Sequence, residues 1–233
     1  MNSTGVLSGG ADGNVRLWKI IKLNVITLEA SMKEHRSTVN AISLLHDDTS
    51  AVTASDDGSC VVWDIERRTR RVSFLGSNYF KAIGIHPDEK QIITVGTDRK
   101  ITWWDPSDAS IIRVIDDPND SELVALDISR PDAMALVVAG SDRLLRLFDY
   151  ESGEYTHTSV AHASPITSIA FAPGARRIIS ASTDGAVFVW SNPACAFAAI
   201  ERDKERHIQR VLTGELDDDD VPGENTAMRR DGL

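Results

Sequence analysis

Cysteine is nearly missing from this chain, with only Cys60 and Cys195 among 233 residues. Two thiols cannot form a stapling framework, so the fold must be held by burial, and a reducing compartment is predicted. Long apolar runs are missing as well. None approaches the roughly eighteen residues of a membrane-spanning helix, and the opening Met-Asn-Ser-Thr has neither the basic nor the apolar region of a secretory leader. Positive charge is in short supply: 25 Lys and Arg against 35 Asp and Glu leave a formal net charge of −10. That argues against nucleic acid or an anionic membrane surface as partner, because both need a basic footprint, and it points to protein. The commonest catalytic signatures are absent too, with no G-x-x-x-x-G-K, no G-x-S-x-G and no H-E-x-x-H. Neither enzymatic activity nor a cofactor nor a metal site is expected.

What the chain does have is a period. In Asp57-Gly-Ser-Cys-Val-Val-Trp63-Asp64 a tight turn feeds a short hydrophobic strand, and the same interval returns as Asp12 to Trp18, Asp98 to Trp104, Asp142 to Phe148 and Asp184 to Trp190. Successive aspartates lie 45, 41, 44 and 42 residues apart, the period of four-stranded propeller blades with a Trp-Asp signature. The invariant six-residue interval has a physical reason. A turn sets where the strand begins, period-two alternation sets which side chains point inward, and one inserted residue would reverse them all. With 42% hydrophobic and 26% charged residues, the composition is that of an ordinary globular domain.

Within these units, His35, Thr53, Asp57 and Trp63 have the spacing of the tetrad used by WD-repeat proteins, and His162, Ser180, Asp184 and Trp190 repeat it. An indole N–H, a hydroxyl, an imidazole and a carboxylate can satisfy one another where water does not reach, so the tetrad reads as structural. The other units keep part of it. Asp12 and Trp18 remain in the first, Thr94, Asp98 and Trp104 in the third with Asn78 near the histidine position, and Asp142 in the fourth, where Val138 and Phe148 replace hydroxyl and indole. The fourth network is therefore expected to be broken and its blade to rely on packing. His157 and His162 are the closest histidine pair, but one falls on an outer strand and the other in a tetrad, so neither is assigned to a metal.

The predicted architecture is all-β, a WD-repeat β-propeller of about four and a half blades over residues 1–193, followed by a helix over 194–214 and a disordered acidic tail over 215–233. The first blade lacks its innermost strand and the fifth its outermost. Open edges of that kind invite pairing with another chain, which would supply the missing blades. An incomplete gene model, a split gene and a shortened paralogue all remain open.

Two stretches carry a narrower resemblance: Val-Thr-Ala-Ser-Asp-Asp-Gly-Ser-Cys-Val-Val-Trp-Asp from Val52, and His-Pro-Asp-Glu-Lys-Gln-Ile-Ile-Thr-Val-Gly-Thr-Asp-Arg-Lys-Ile from His86. In these the chain resembles the C-terminal portion of the cilia- and flagella-associated protein 52 family over about residues 5–193. The resemblance implies a non-enzymatic structural protein of the axoneme in motile cilia and flagella, a microtubule inner protein that stabilises the doublet inner junction and contacts tubulin and neighbouring junction proteins. A cytosolic scaffold for complex assembly is the alternative. Its ubiquitin-ligase version usually shows Trp-Asp-x-Arg, whereas the third residue after the aromatic is here Ile21, Glu66, Ser107, Glu151 or Pro193. One surface feature stands out: Arg67, Arg68, Arg70 and Arg71, placed in the turn after Trp63-Asp64, would suit a carboxylate-rich partner.

Overall fold

The computed structural model describes residues 5–193, apart from 23, 24, 47, 77 and 161. The helix and tail expected over 194–233 lie outside the described residues. Among the described residues, eighteen strands form five antiparallel sheets, each of strands consecutive in sequence. Blade one contains β1 (Gly5–Gly9), β2 (Asn14–Lys22) and β3 (Val25–Lys33), and blade two β4 (Val39–Leu44), β5 (Ser50–Ser55), β6 (Ser59–Asp64) and β7 (Thr69–Leu75). Blade three contains β8 (Phe80–Ile85), β9 (Ile92–Gly96), β10 (Lys100–Trp104) and β11 (Ile111–Asp116), and blade four β12 (Leu123–Ile128), β13 (Ala135–Gly140), β14 (Leu144–Asp149) and β15 (Tyr155–Val160). Blade five is three-stranded: β16 (Ile166–Phe171), β17 (Arg177–Ser182) and β18 (Val187–Ser191).

The aspartates explain the regularity. Each accepts a hydrogen bond from the backbone N–H two residues on, which closes an Asx turn: Asn14 to Asp12 at 3.1 Å, Ser59 to Asp57 at 2.9 Å, Lys100 to Asp98 at 3.2 Å, Leu144 to Asp142 at 3.2 Å and Ala186 to Asp184 at 2.8 Å. The residue between them takes positive φ. Gly13, Gly58 and Gly185 do so freely at 76°, 79° and 79°, whereas Arg99 and Arg143 are held there at 63° and 73°. Farther along each hairpin the register shifts beside the aromatic, at Leu17/Trp18, Val62/Trp63, Trp103/Trp104 and Leu147/Phe148, so the same β-bulge recurs in blades one to four.

The core lies between sheets. Val15 and Met32 of blade one pack with Ala51, Val61 and Trp63 of blade two. Val52, Cys60, Val62 and Phe74 of blade two meet Ile92 and Trp104 of blade three, where Phe74 stacks on Trp104 with centroids 5.3 Å apart. Ile93, Ile101 and Trp103 of blade three meet Leu136 and Phe148 of blade four. Each central sheet is thus buried on both faces, which is why β5, β9 and β13 are buried at every position.

One boundary differs from expectation. The outer strand of blade two begins at Thr69, so Arg70 and Arg71 stand on β7 and only Arg67 and Arg68 occupy the turn. Arg68 sits in that turn at φ 58°, which lets β7 start sooner than the composition suggests.

Candidate functional site

In blade two the four tetrad residues form one connected chain. Trp63 donates its indole N–H to Thr53 Oγ1 at 2.8 Å, and His35 Nε2 lies 2.7 Å from the same hydroxyl oxygen. His35 Nδ1 is 3.3 Å from Asp57 Oδ2 and 2.9 Å from Ser59 Oγ. One assignment satisfies every atom: the threonine hydroxyl donates to Nε2 and Nδ1–H faces the carboxylate, which makes the imidazole neutral. Burial acts in the same direction, lowering the imidazole pKa, and Asp57 only partly offsets it. Burial would raise the pKa of Asp57, but the Ser59 hydroxyl and the amides of Arg36 and Ser59 outweigh it and hold the carboxyl below its ordinary range. Blade five repeats the geometry. Trp190 donates to Ser180 Oγ at 2.8 Å, His162 Nε2 lies 2.8 Å from it, and His162 Nδ1 is 3.3 Å from Asp184 Oδ2. The Ala186 amide, followed by that of Ala163 and the His162 ring, holds the Asp184 pKa at about 2 against the opposing effect of desolvation.

These shifts imply a pH dependence of stability. The folded pKa of His35 lies below its unfolded value near 6.5, so the unfolded chain binds the extra proton first and stability falls as pH drops through that value. Asp57 and Asp184 have depressed pKa values and add a second loss, below about pH 4. The melting temperature is therefore expected to decline between pH 7 and pH 5, and His35→Asn should show a shallower decline over that window. An equal slope in the two proteins would refute the neutral-imidazole assignment.

Blade three keeps half the network. Trp104 donates to Thr94 Oγ1 at 2.8 Å, while Asp98 is confined to its turn. In blade one, Trp18 donates to Ser8 Oγ at 2.7 Å. Ser8 escaped the sequence reading, although its signal is plain in retrospect: it stands four residues before Asp12, as Thr53 stands before Asp57 and Ser180 before Asp184.

Blade four lacks the tetrad, as expected, but it does not rely on packing alone. In place of the histidine chain it buries a guanidinium. Arg146 is fully buried, binds Asp142 through both terminal nitrogens and places Nε 2.8 Å from Asp117 Oδ1, an ionic contact without hydrogen-bond alignment. Asp117 in turn accepts from the amides of Asn119 and Ser121 at 3.2 and 3.0 Å. The arginine stands four residues after the turn aspartate, and blade one repeats that pairing at its surface as Arg16 with Asp12. With Val138 and Phe148 offering no hydroxyl or indole, the carboxylate of Asp142 finds its partner on the neighbouring strand instead.

The four arginines do not form a free basic patch. Arg68 pairs with Glu29 at 2.6 Å and Arg70 with Glu34 at 3.1 Å, both on blade one, while Arg71 reaches Ser50 Oγ at 3.4 Å. Arg67, whose side chain is 82% exposed, stands 3.5 Å from Asp64. Two of the four therefore bridge adjacent blades, as exposed pairs of small individual strength. Cys60 is buried, and burial raises its thiol pKa, as suits a packed and unreactive side chain.

Comparison with known proteins agrees with this geometry. The WD domain, G-beta repeat family matches residues 26–64 and 153–191, which contain the two complete tetrads of blades two and five. Cilia- and flagella-associated protein 52 of Chlamydomonas reinhardtii is 43% identical over 175 residues, 75% of this chain and 28% of that protein. The Sus scrofa protein is 40% identical over 190 residues and the Homo sapiens protein 39% over 188, covering 82% and 81% of this chain and 30% of each relative. The chain thus spans under a third of the length of these relatives. It carries WD repeats and, over most of its length, is similar to part of cilia- and flagella-associated protein 52.

Proposed function

We propose that this chain is a non-enzymatic structural protein of motile cilia and flagella, which acts inside the doublet microtubule and stabilises its inner junction by bridging tubulin and neighbouring proteins. The observation that carries the reading is identity of 39–43% to cilia- and flagella-associated relatives along three-quarters or more of the chain. The architecture is suited to it. Sheets packed face to face leave loops on two sides and outer strands on a third, a stiff platform that can touch several neighbours at once. Each contact can be weak, because repetition along a polymer multiplies them through effective concentration. Carboxylates and histidines consumed in turns and tetrads are unavailable for acid–base work.

Tagged protein is expected to co-sediment with axonemes after salt washing, and its loss to leave doublets that form but break under mechanical load. A pool that is diffuse in ciliated cells and freely extracted by detergent and moderate salt would transfer the weight to a cytosolic scaffold.

A further inference from the structure

The interface between blades three and four departs from the repeat at three positions. Five residues after the turn aspartate the other blades carry an aliphatic residue, Leu17, Val62, Leu147 or Val189, whereas blade three carries Trp103. Fifteen residues after it stand Thr27, Val72 and His157 in blades one, two and four, whereas blade three has Arg113. Across the interface, eight residues after its own aspartate, blade four places Tyr150 where blades one and two have Ile20 and Ile65. Packing alone does not call for these residues. Trp103 is 1% exposed, and its indole N–H closes no aligned hydrogen bond although the Tyr150 hydroxyl is beside it.

Together the three side chains wall a cleft of about 550 Å³ between blades three and four, each of which has four strands. Its geometry is fixed from within. Tyr150 donates its hydroxyl to Gln91 Oε1 at 2.8 Å, packs on His86 with ring centroids 4.9 Å apart and meets Trp103 edge-on at 6.1 Å. Arg113 lies 4.1 Å over the Trp103 ring and donates to the carbonyls of Tyr150 and Glu151 at 2.7 and 2.8 Å. The inner wall thus already holds one guanidinium against an indole face. Against that single arginine the lining sets three carboxylates, Asp132, Asp149 and Glu151. None of them has an ion pair among the described residues, whereas Glu29, Glu34 and Asp120 pair with Arg68, Arg70 and Arg99. Ile112 and Met134, 49% and 45% exposed, add an apolar part to the same lining.

We propose that this cleft binds an arginine side chain of another protein, presented there beside an aliphatic residue. Charge sets the occupant. The three carboxylates repel an anion, and an apolar group would strip them of water and leave them unpaired. A cation avoids both costs. A planar one can lie along the Tyr150 and His86 rings while its fork reaches two carboxylates, which the point charge of a lysine ammonium cannot do. The aliphatic neighbour of the arginine then rests on Ile112 and Met134.

The test titrates the ¹⁵N-labelled full chain with the peptide Gly-Leu-Arg-Leu-Gly and follows the indole N–H resonance of Trp103, assigned through its loss in Trp103→Phe. A saturable shift with a Kd of about 0.1–5 mM, the strength of one anchored side chain, is expected. The same peptide with lysine should bind about threefold more weakly, and with citrulline, which keeps the shape and lacks the charge, about tenfold more weakly. Asp132→Asn/Glu151→Gln, on exposed side chains, should weaken the arginine peptide about tenfold. Tyr150→Ile, which installs the residue of blades one and two, should weaken it as much; where that variant loses the wild-type melting transition, the carboxylate pair decides. Glu29→Gln/Glu34→Gln removes the same charge elsewhere and should leave binding unchanged. No saturation below about 10 mM, a lysine or citrulline peptide that binds as tightly as the arginine one, or equal affinities in the two carboxylate double variants would each overturn the proposal.

Discussion

Arg146→Ala is expected to destabilise the chain by about 3–5 kcal/mol, the cost of removing one member of a buried ionic group and leaving the rest uncompensated. The cation sits between two carboxylates. Asp117 has no exposed side-chain surface and Asp142 only 27%, so deleting the arginine leaves a carboxylate in the core with nothing but the Asn119 and Ser121 amides to hold it. Arg146→Lys should recover little. A lysine ammonium is a point donor and cannot span Asp142 and Asp117 as the guanidinium fork does. Asp142→Ala, which from the sequence alone is expected to cost less than Asp57→Ala because Val138 and Phe148 break its tetrad, is now expected to match or exceed it, since it removes a turn closure and half the counter-charge of Arg146 together. Denaturant melts of the four variants decide the point. An Arg146→Ala cost below about 1 kcal/mol would place the group among inconsequential surface pairs.

Thr53→Val is expected to cost about 2–5 kcal/mol although the two side chains have nearly the same shape. Its hydroxyl holds both the Trp63 indole N–H and His35 Nε2, and each buried polar group left without a partner costs about 1–3 kcal/mol. Blade four supplies an internal control. Val138 occupies this position there without penalty, because Phe148 has no N–H to satisfy and no histidine abuts it. It follows that Thr53→Val/Trp63→Phe should cost less than the sum of its single substitutions, the second change removing the donor that the first one stranded. Additive losses in a double-mutant cycle would mean that the hydroxyl contributes through packing alone.

Much of this protein was legible from its residues in order. The aspartate-to-aromatic interval identified five sheets because the forces behind it are local: an Asx turn closes within three residues, and a strand alternates with period two from wherever the turn releases it. The histidine tetrads could be read for the same reason, their members falling at constant offsets within one blade. The tertiary structure decided what depends on residues far apart. Asp117 and Arg146 lie on different elements 29 positions from each other, and no periodicity announces that a core will bury a guanidinium instead of an imidazole. Arg68 and Arg70 look like a free basic cluster in the chain and are bound to Glu29 and Glu34 only once blades one and two are side by side.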